Sequence, residues 1–141
     1  MNDDCIFCRI VAGELPSRTV HEDDETLAFL DANPLAPGHT LVVPKAHHEH
    51  VEDMDGETAA AVFETLHGLV GPVQDAVDAE GSTIAFNNGE AAGQEVPHTH
   101  AHIVPRFEGD GGGPIHAVAG SRPSLADGEL DEIRDDISER V

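Results

Sequence analysis

The chain has no tryptophan and no tyrosine, and five phenylalanines among 141 residues. Leucine, isoleucine, valine and alanine must therefore fill the core of what the length makes a single domain. Basic residues are also scarce. Seven stand against 28 acids, Lys45 is the one lysine, and the formal charge is −21. That balance excludes non-specific binding to nucleic acid or to an anionic membrane surface. No apolar run is long enough to span a bilayer and no secretory pattern opens the chain, so a cytoplasmic setting is expected. Two cysteines, Cys5 and Cys8, are too few for a disulfide scaffold, and a reducing compartment disfavours a structural bridge between them.

What is abundant is acid. The pairs Asp3-Asp4, Asp23-Asp24 and Asp135-Asp136 lie far apart and interleave with periodic apolar residues. This reads as a folded domain with an acidic skin rather than an acidic tail. Such a skin repels itself until salt screens it, with a Debye length of about 3 Å at 1 M. A halophilic organism with a salty cytoplasm is expected.

The pattern predicts a short helix over Cys5–Ala12 ended by Gly13, and a hairpin of 19–22 and 26–30 around an acidic turn. A strand follows over 39–43, stopped by Pro44. Residues 58–80 carry a helical period through Val62, Leu66, Leu69, Val73 and Val77, with a kink or a broken turn expected at Gly71-Pro72. Strands are expected at 82–86 and 98–105, joined by a polar, glycine-containing loop. Ser124 is placed to cap a last helix burying Leu130, Ile133, Ile137 and Val141. Helices set among antiparallel-looking strands define an α+β layer fold.

The chemistry concentrates in His98-Thr99-His100-Ala101-His102. On a strand the three histidines would share one face, about 6–7 Å apart from neighbour to neighbour. Neutral imidazole is a good nucleophile near pH 7. Attack on an α-phosphorus would give a nucleotidyl-histidine, and the middle residue, His100, is best placed for it. A backbone carbonyl on its other nitrogen would fix the tautomer. The same three side chains could equally ligate a metal or line a solvated face, and the run alone leaves these open. The Cys5-Ile6-Phe7-Cys8 pair is likewise open between redox, metal and chance, although Ile-Phe suits a redox motif poorly.

The surroundings narrow the choice. Residues 87–97, Asn-Asn-Gly-Glu-Ala-Ala-Gly-Gln-Glu-Val-Pro, lead straight into the histidine run and on to Ile103-Val104-Pro105-Arg106. Together with Cys5–Pro16, Leu27–Asp31 and Pro37–Lys45, this resembles the histidine triad (HIT) family over residues 5 to about 107, leaving 108–141 as a C-terminal extension with a helix. The resemblance implies a five-stranded antiparallel sheet with flanking helices, paired as a two-fold homodimer. It implies hydrolysis or transfer of nucleoside monophosphoryl groups, usually purine ones, from dinucleoside polyphosphates or nucleoside phosphoramidates. By the same resemblance His100 is the nucleophile, and His98 and His102 organise and contact the phosphate. Asp31 grips the ribose hydroxyls, Asn87 touches the nucleotide, and Gly93 and Gln94 lie in the loop passing the phosphate. In the bacterial and archaeal branch, residues matching Cys5, Cys8, His47 and His98 hold a structural zinc, with His48 and His50 as competing ligands. His21, His39, His67 and His116 are assigned to surface or packing.

One position departs. Many members carry Ser or Thr after Gly-Gln, where this chain has Glu95. An ionised carboxylate cannot donate to a leaving group and repels phosphate. That feature supports an alternative, a zinc-stabilised purine-nucleotide-binding or signalling module with little turnover. A hexose-phosphate uridylyltransferase ranks lower, since Thr99 stands where that branch has proline. In so acidic a chain, phosphate must be drawn by local groups: the imidazoles, backbone N–H groups of the 87–97 loop, and Arg106.

Overall fold

The computed structural model describes residues 4–141, so Asp3 lies outside the described residues. The elements in chain order are α1 (Ile6–Val11), β1 (Thr19–Glu22), β2 (Thr26–Leu30), β3 (Thr40–Pro44), α2 (Gly56–Ala76), β4 (Gly81–Phe86), β5 (Ala101–Arg106) and α3 (Asp127–Arg140), with three short 3₁₀ turns between them. The five strands form one antiparallel sheet in the order β1-β2-β3-β5-β4. The α+β layer fold expected from the sequence is the one observed.

Alternation along the strands sorts side chains to two faces. Ala28, Val42, Ala101 and Ile103 pack against Val62, Leu66 and Val73 of α2. Leu27, Phe29, Leu41 and Val43 face the other way and pack against Cys5, Phe7 and Cys8. β3 is buried along its whole length because both faces are covered. Cys5 caps α1 by accepting the Cys8 N–H on its sulfur (3.3 Å).

Three expectations are corrected. α2 continues through Gly71-Pro72 without a broken turn. Second, β5 begins at Ala101, so His98, Thr99 and His100 precede the strand instead of opening it. The Thr99 N–H goes to the His48 carbonyl (2.7 Å), and the His98 ring takes the Pro44 carbonyl (2.8 Å), so loop and side-chain bonds replace strand pairing there. Third, α3 starts after Ala126 rather than at a Ser124 cap, and Leu130, Ile133, Ile137 and Val141 are exposed, not buried. Three apolar residues among seven acids in its 14 residues are too few for a buried face.

The chain divides into two compact units, one ending at Gly111 and one spanning Gly112–Val141. The chemistry-bearing residues all lie in the first. Among the described residues, no helix is long and apolar enough to cross a membrane.

Candidate functional site

Strand register assembles the first part of the site. Leu30 pairs with Thr40, so Asp31 stands opposite His39, and the Asp31 N–H donates to the His39 carbonyl (2.9 Å). Leu41 pairs with His102, which makes His39 and His102 diagonal neighbours on one face. Gly38 (φ +85°) turns the chain into β3, and a Cβ there would lie 3.0 Å from Val77 and 3.3 Å from Pro105, so only glycine fits without a shift.

Hydrogen bonds then fix where the ring protons sit. The Leu35 N–H donates to His39 Nδ1 (3.0 Å), so the His39 proton is on Nε2. That Nε2–H donates to His102 Nδ1 (2.9 Å), and the proton of His102 is therefore on its own Nε2. His102 Nε2 is buried and has no partner among the described residues. It is a donor waiting for an acceptor, which a phosphate oxygen would satisfy. Burial pushes His102 down to about 4, assisted by His100 and His39, and lowers His39 as well, so both rings are neutral at pH 7. Asp31 Oδ2 is 3.7 Å from His39 Nε2, and Asp31 Oδ1 accepts the Asn33 N–H (2.9 Å).

His100 lies between this group and α1. Its Nδ1–H donates to the His98 carbonyl (2.8 Å), which leaves the lone pair on Nε2. Burial lowers its pKa; the His98 carbonyl and the Asp31 charge act in the opposite direction. Its ring centroid is 5.0 Å from that of His102 and 4.9 Å from that of Phe7, which meets it edge-on at 83°.

His98 turns away from this group. Its Nε2–H donates to the Pro44 carbonyl (2.8 Å), and its Nδ1 lies 3.3 Å from Cys5 Sγ and 3.5 Å from Cys8 Sγ. Cys8 Sγ is in turn 3.3 Å from His47 Nδ1. The four candidate ligand atoms all lie within 4.8 Å of one another. A tetrahedral zinc, with bonds of about 2.3 Å to sulfur and 2.0–2.1 Å to nitrogen, sets these atoms roughly 3.5 Å apart. The residues therefore fit zinc in kind, number and spacing, and the carbonyl on the far nitrogen of His98 is the usual outer support of a metal-bound imidazole.

The remaining residues are placed as follows. Phe86 pairs with Ala101, so Asn87 leaves β4 level with His100, exposed. Gly93 (φ +91°) makes the turn of the connecting loop. The Gln94 amide is fully engaged inside that loop: Oε1 accepts the Gly89 N–H (2.7 Å), and Nε2 donates to the Glu49 (2.7 Å) and Val96 (2.9 Å) carbonyls. Glu95, next to it, is exposed. The Arg106 guanidinium, a candidate for drawing phosphate, binds Asp110 through two nitrogens (2.8 and 3.0 Å) and Thr83 through the third (3.0 Å). The sequence reading missed His39 and Phe7. The signal for His39 was available: pairing β2 with β3 about the Leu30–Thr40 step puts it opposite Asp31.

At one side of the five-stranded antiparallel sheet stand an imidazole with its lone pair on Nε2, an imidazole N–H donor without a partner among the described residues, and a carboxylate, groups suited to phosphoryl or nucleotidyl chemistry. The HIT domain pattern matches residues 12–109, and the chain belongs to the HIT family. A crystal structure of a HIT family member from Bacillus subtilis superposes with a TM-score of 0.87 at 38% identity, covering 99% of this chain and 98% of that one. A Zn-bound histidine triad family protein from Mycobacterium smegmatis gives 0.72 at 33% identity, covering 96% and 94%. A relative from Arabidopsis thaliana named adenylylsulfatase is 39% identical over 110 residues, 78% of this chain and 56% of that protein.

Proposed function

We propose that the protein is a nucleotide-phosphate hydrolase or nucleotidyl transferase working through a nucleotidyl-histidine on His100. The observation that carries this reading is the His100 Nδ1–H bond to the His98 carbonyl, which leaves Nε2 with the lone pair. Attack forms an Nε2–phosphorus bond and breaks the bond to the leaving group. Water, or another acceptor, then forms a new bond to phosphorus and releases Nε2. The intermediate ring is cationic, and the His98 carbonyl and the Asp31 charge both favour that state. The free His102 Nε2–H serves the phosphoryl oxygen, where negative charge develops.

The substrate in this reading is a purine nucleoside monophosphoryl group, carried on a dinucleoside polyphosphate or a nucleoside phosphoramidate. Asp31 accepts from the ribose hydroxyls, Asn87 touches the nucleotide, and the Gly93–Gln94 turn shapes the phosphate path. Zinc on Cys5, Cys8, His47 and His98 supplies a structural cross-link between the N-terminal segment and the catalytic face. Two cysteines grouped as metal-type ligands rather than bridged agree with a cytoplasmic setting. A second copy is assigned to the exposed Phe63 and Ile84 on α2 and the edge strand β4, giving a homodimer measurable by sedimentation. The acidic skin is assigned to halophilic life; the melting temperature should rise between dilute and molar KCl.

The test is incubation with diadenosine polyphosphate and adenosine phosphoramidate. Wild type should cleave at least one of them, and His100→Ala should be slower by about a thousand-fold or more. Mass spectrometry of the trapped adduct should place the nucleotide on His100. Glu95 supports a second reading, a zinc-stabilised nucleotide-binding or signalling module. Binding with equal background rates in wild type and His100→Ala would establish it.

A further inference from the structure

The Cys5–Cys8 knuckle touches the reaction centre at two points that a simple clip does not require. The first is His98, which has three commitments. Its Nδ1 faces both cysteine sulfurs, its Nε2–H is held by the Pro44 carbonyl, and its own carbonyl holds the Nδ1–H of His100. The second is Phe7, which lies between the two cysteines in sequence and is buried. Its ring stands edge-on to His100 (4.9 Å, 83°), to His98 (5.9 Å, 78°) and to Phe29 (5.6 Å, 68°).

We propose that this knuckle is a positioning device for His100: a metal ion held by Cys5, Cys8, His47 and His98 fixes the His98 peptide and the Phe7 ring, and these two hold the His100 imidazole in its Nδ1–H form. Without a cation, the His98 Nδ1 meets only thiols, which are weak hydrogen-bond partners with freely rotating protons. Coordination replaces these with bonds of set length and angle. Rotation of the His98 peptide withdraws the one acceptor that selects the His100 tautomer. The Nε2–H tautomer carries its lone pair on Nδ1, beside the His98 carbonyl, and has none on Nε2, so the tautomer fraction sets the active fraction. His98 and Phe7 are thus positioning residues, acting through His100.

The consequence for catalysis rests on the reading of His100 as nucleophile, but the tautomer itself is measured without substrate. Ring nitrogens of ¹⁵N-histidine-labelled wild type are recorded by NMR with zinc bound, after chelation, and after zinc is restored. His100 should show one tautomer, protonated at Nδ1, with zinc. It should show a mixture without zinc and recover when zinc returns. An unchanged His100 spectrum in stripped protein that circular dichroism shows to be folded overturns the proposal. If stripping unfolds the chain, Phe7→Leu decides, read in zinc-loaded protein. Its His100 signals should lose the single-tautomer pattern, and kcat should fall about 10- to 100-fold with little change in KM, with Phe7→Tyr restoring the pattern. A wild-type spectrum in Phe7→Leu overturns the proposal. Absence of turnover in wild type with the zinc-dependent tautomer intact removes the proposed reaction and leaves the positioning device standing.

Discussion

Among the described residues, two groups of metal-type ligands sit within one compact unit: Cys5, Cys8, His47 and His98 in one, Asp31, His39 and His102 in the other. Residue type and proximity make both look like metal sites. Ring protons separate them. The Pro44 carbonyl takes the Nε2–H of His98 and leaves Nδ1 bare toward the sulfurs. The Leu35 N–H occupies Nδ1 of His39, so Nε2 must keep its proton. His39 could bind a metal through Nε2 only by becoming an imidazolate. A backbone carbonyl leaves one histidine able to act as a ligand, and a backbone N–H makes the other a donor.

The sharpest way to break this comparison is a crossed pair of variants. Cys8→Ala should lose zinc and lower the melting temperature by about 10 °C or more, as expected for several kcal/mol of linked metal binding at roughly 2–4 °C per kcal/mol. His39→Ala should keep zinc at the wild-type ratio and lower kcat about 10- to 100-fold. Zinc lost from His39→Ala, or a second tightly held zinc in wild type, would erase the distinction.

A smaller effect comes from pH. The folded chain holds His39 and His102 neutral by burial, with His102 near 4 against an ordinary 6.5. The unfolded state therefore binds more protons below pH 6.5. This contribution to stability is complete above about 6.5 and is lost as pH falls toward about 4. Denaturant melts between about pH 7 and 5, where most carboxylates stay charged, should show the decline, and His39→Ala should lessen it. The smallest effect belongs to Glu95→Ser. It should speed cleavage of anionic leaving groups about two- to ten-fold, with the gap closing as salt rises; a clear slowing would contradict the reading of Glu95.

Much of this was legible in the sequence. Strand period and turn residues located all five strands to within a few positions: β2 and β3 are buried on both faces and read as apolar runs, and turn residues bound the others. The pairing of cysteines with a distant histidine came through resemblance, and donors from three separate segments do converge. Bonds that cross between elements left no local trace. The His98–Pro44 and Thr99–His48 bonds pull the first two triad positions out of the strand, and nothing in the residues 98–100 announces it. His39 reads as an ordinary strand-opening residue until β2 is aligned beside it. Phe7 reads as a core aromatic until α1 is docked on the sheet.

Leu35 has a side chain that is 77% exposed, yet its amide proton selects the tautomer of His39 and, through it, that of His102. Natural or laboratory variation can thus place serine, lysine or glutamate at this surface position without penalty to the site. Proline, lacking that proton, is the single residue it should refuse. A loop tip that looks free to drift carries a constraint written entirely in the main chain.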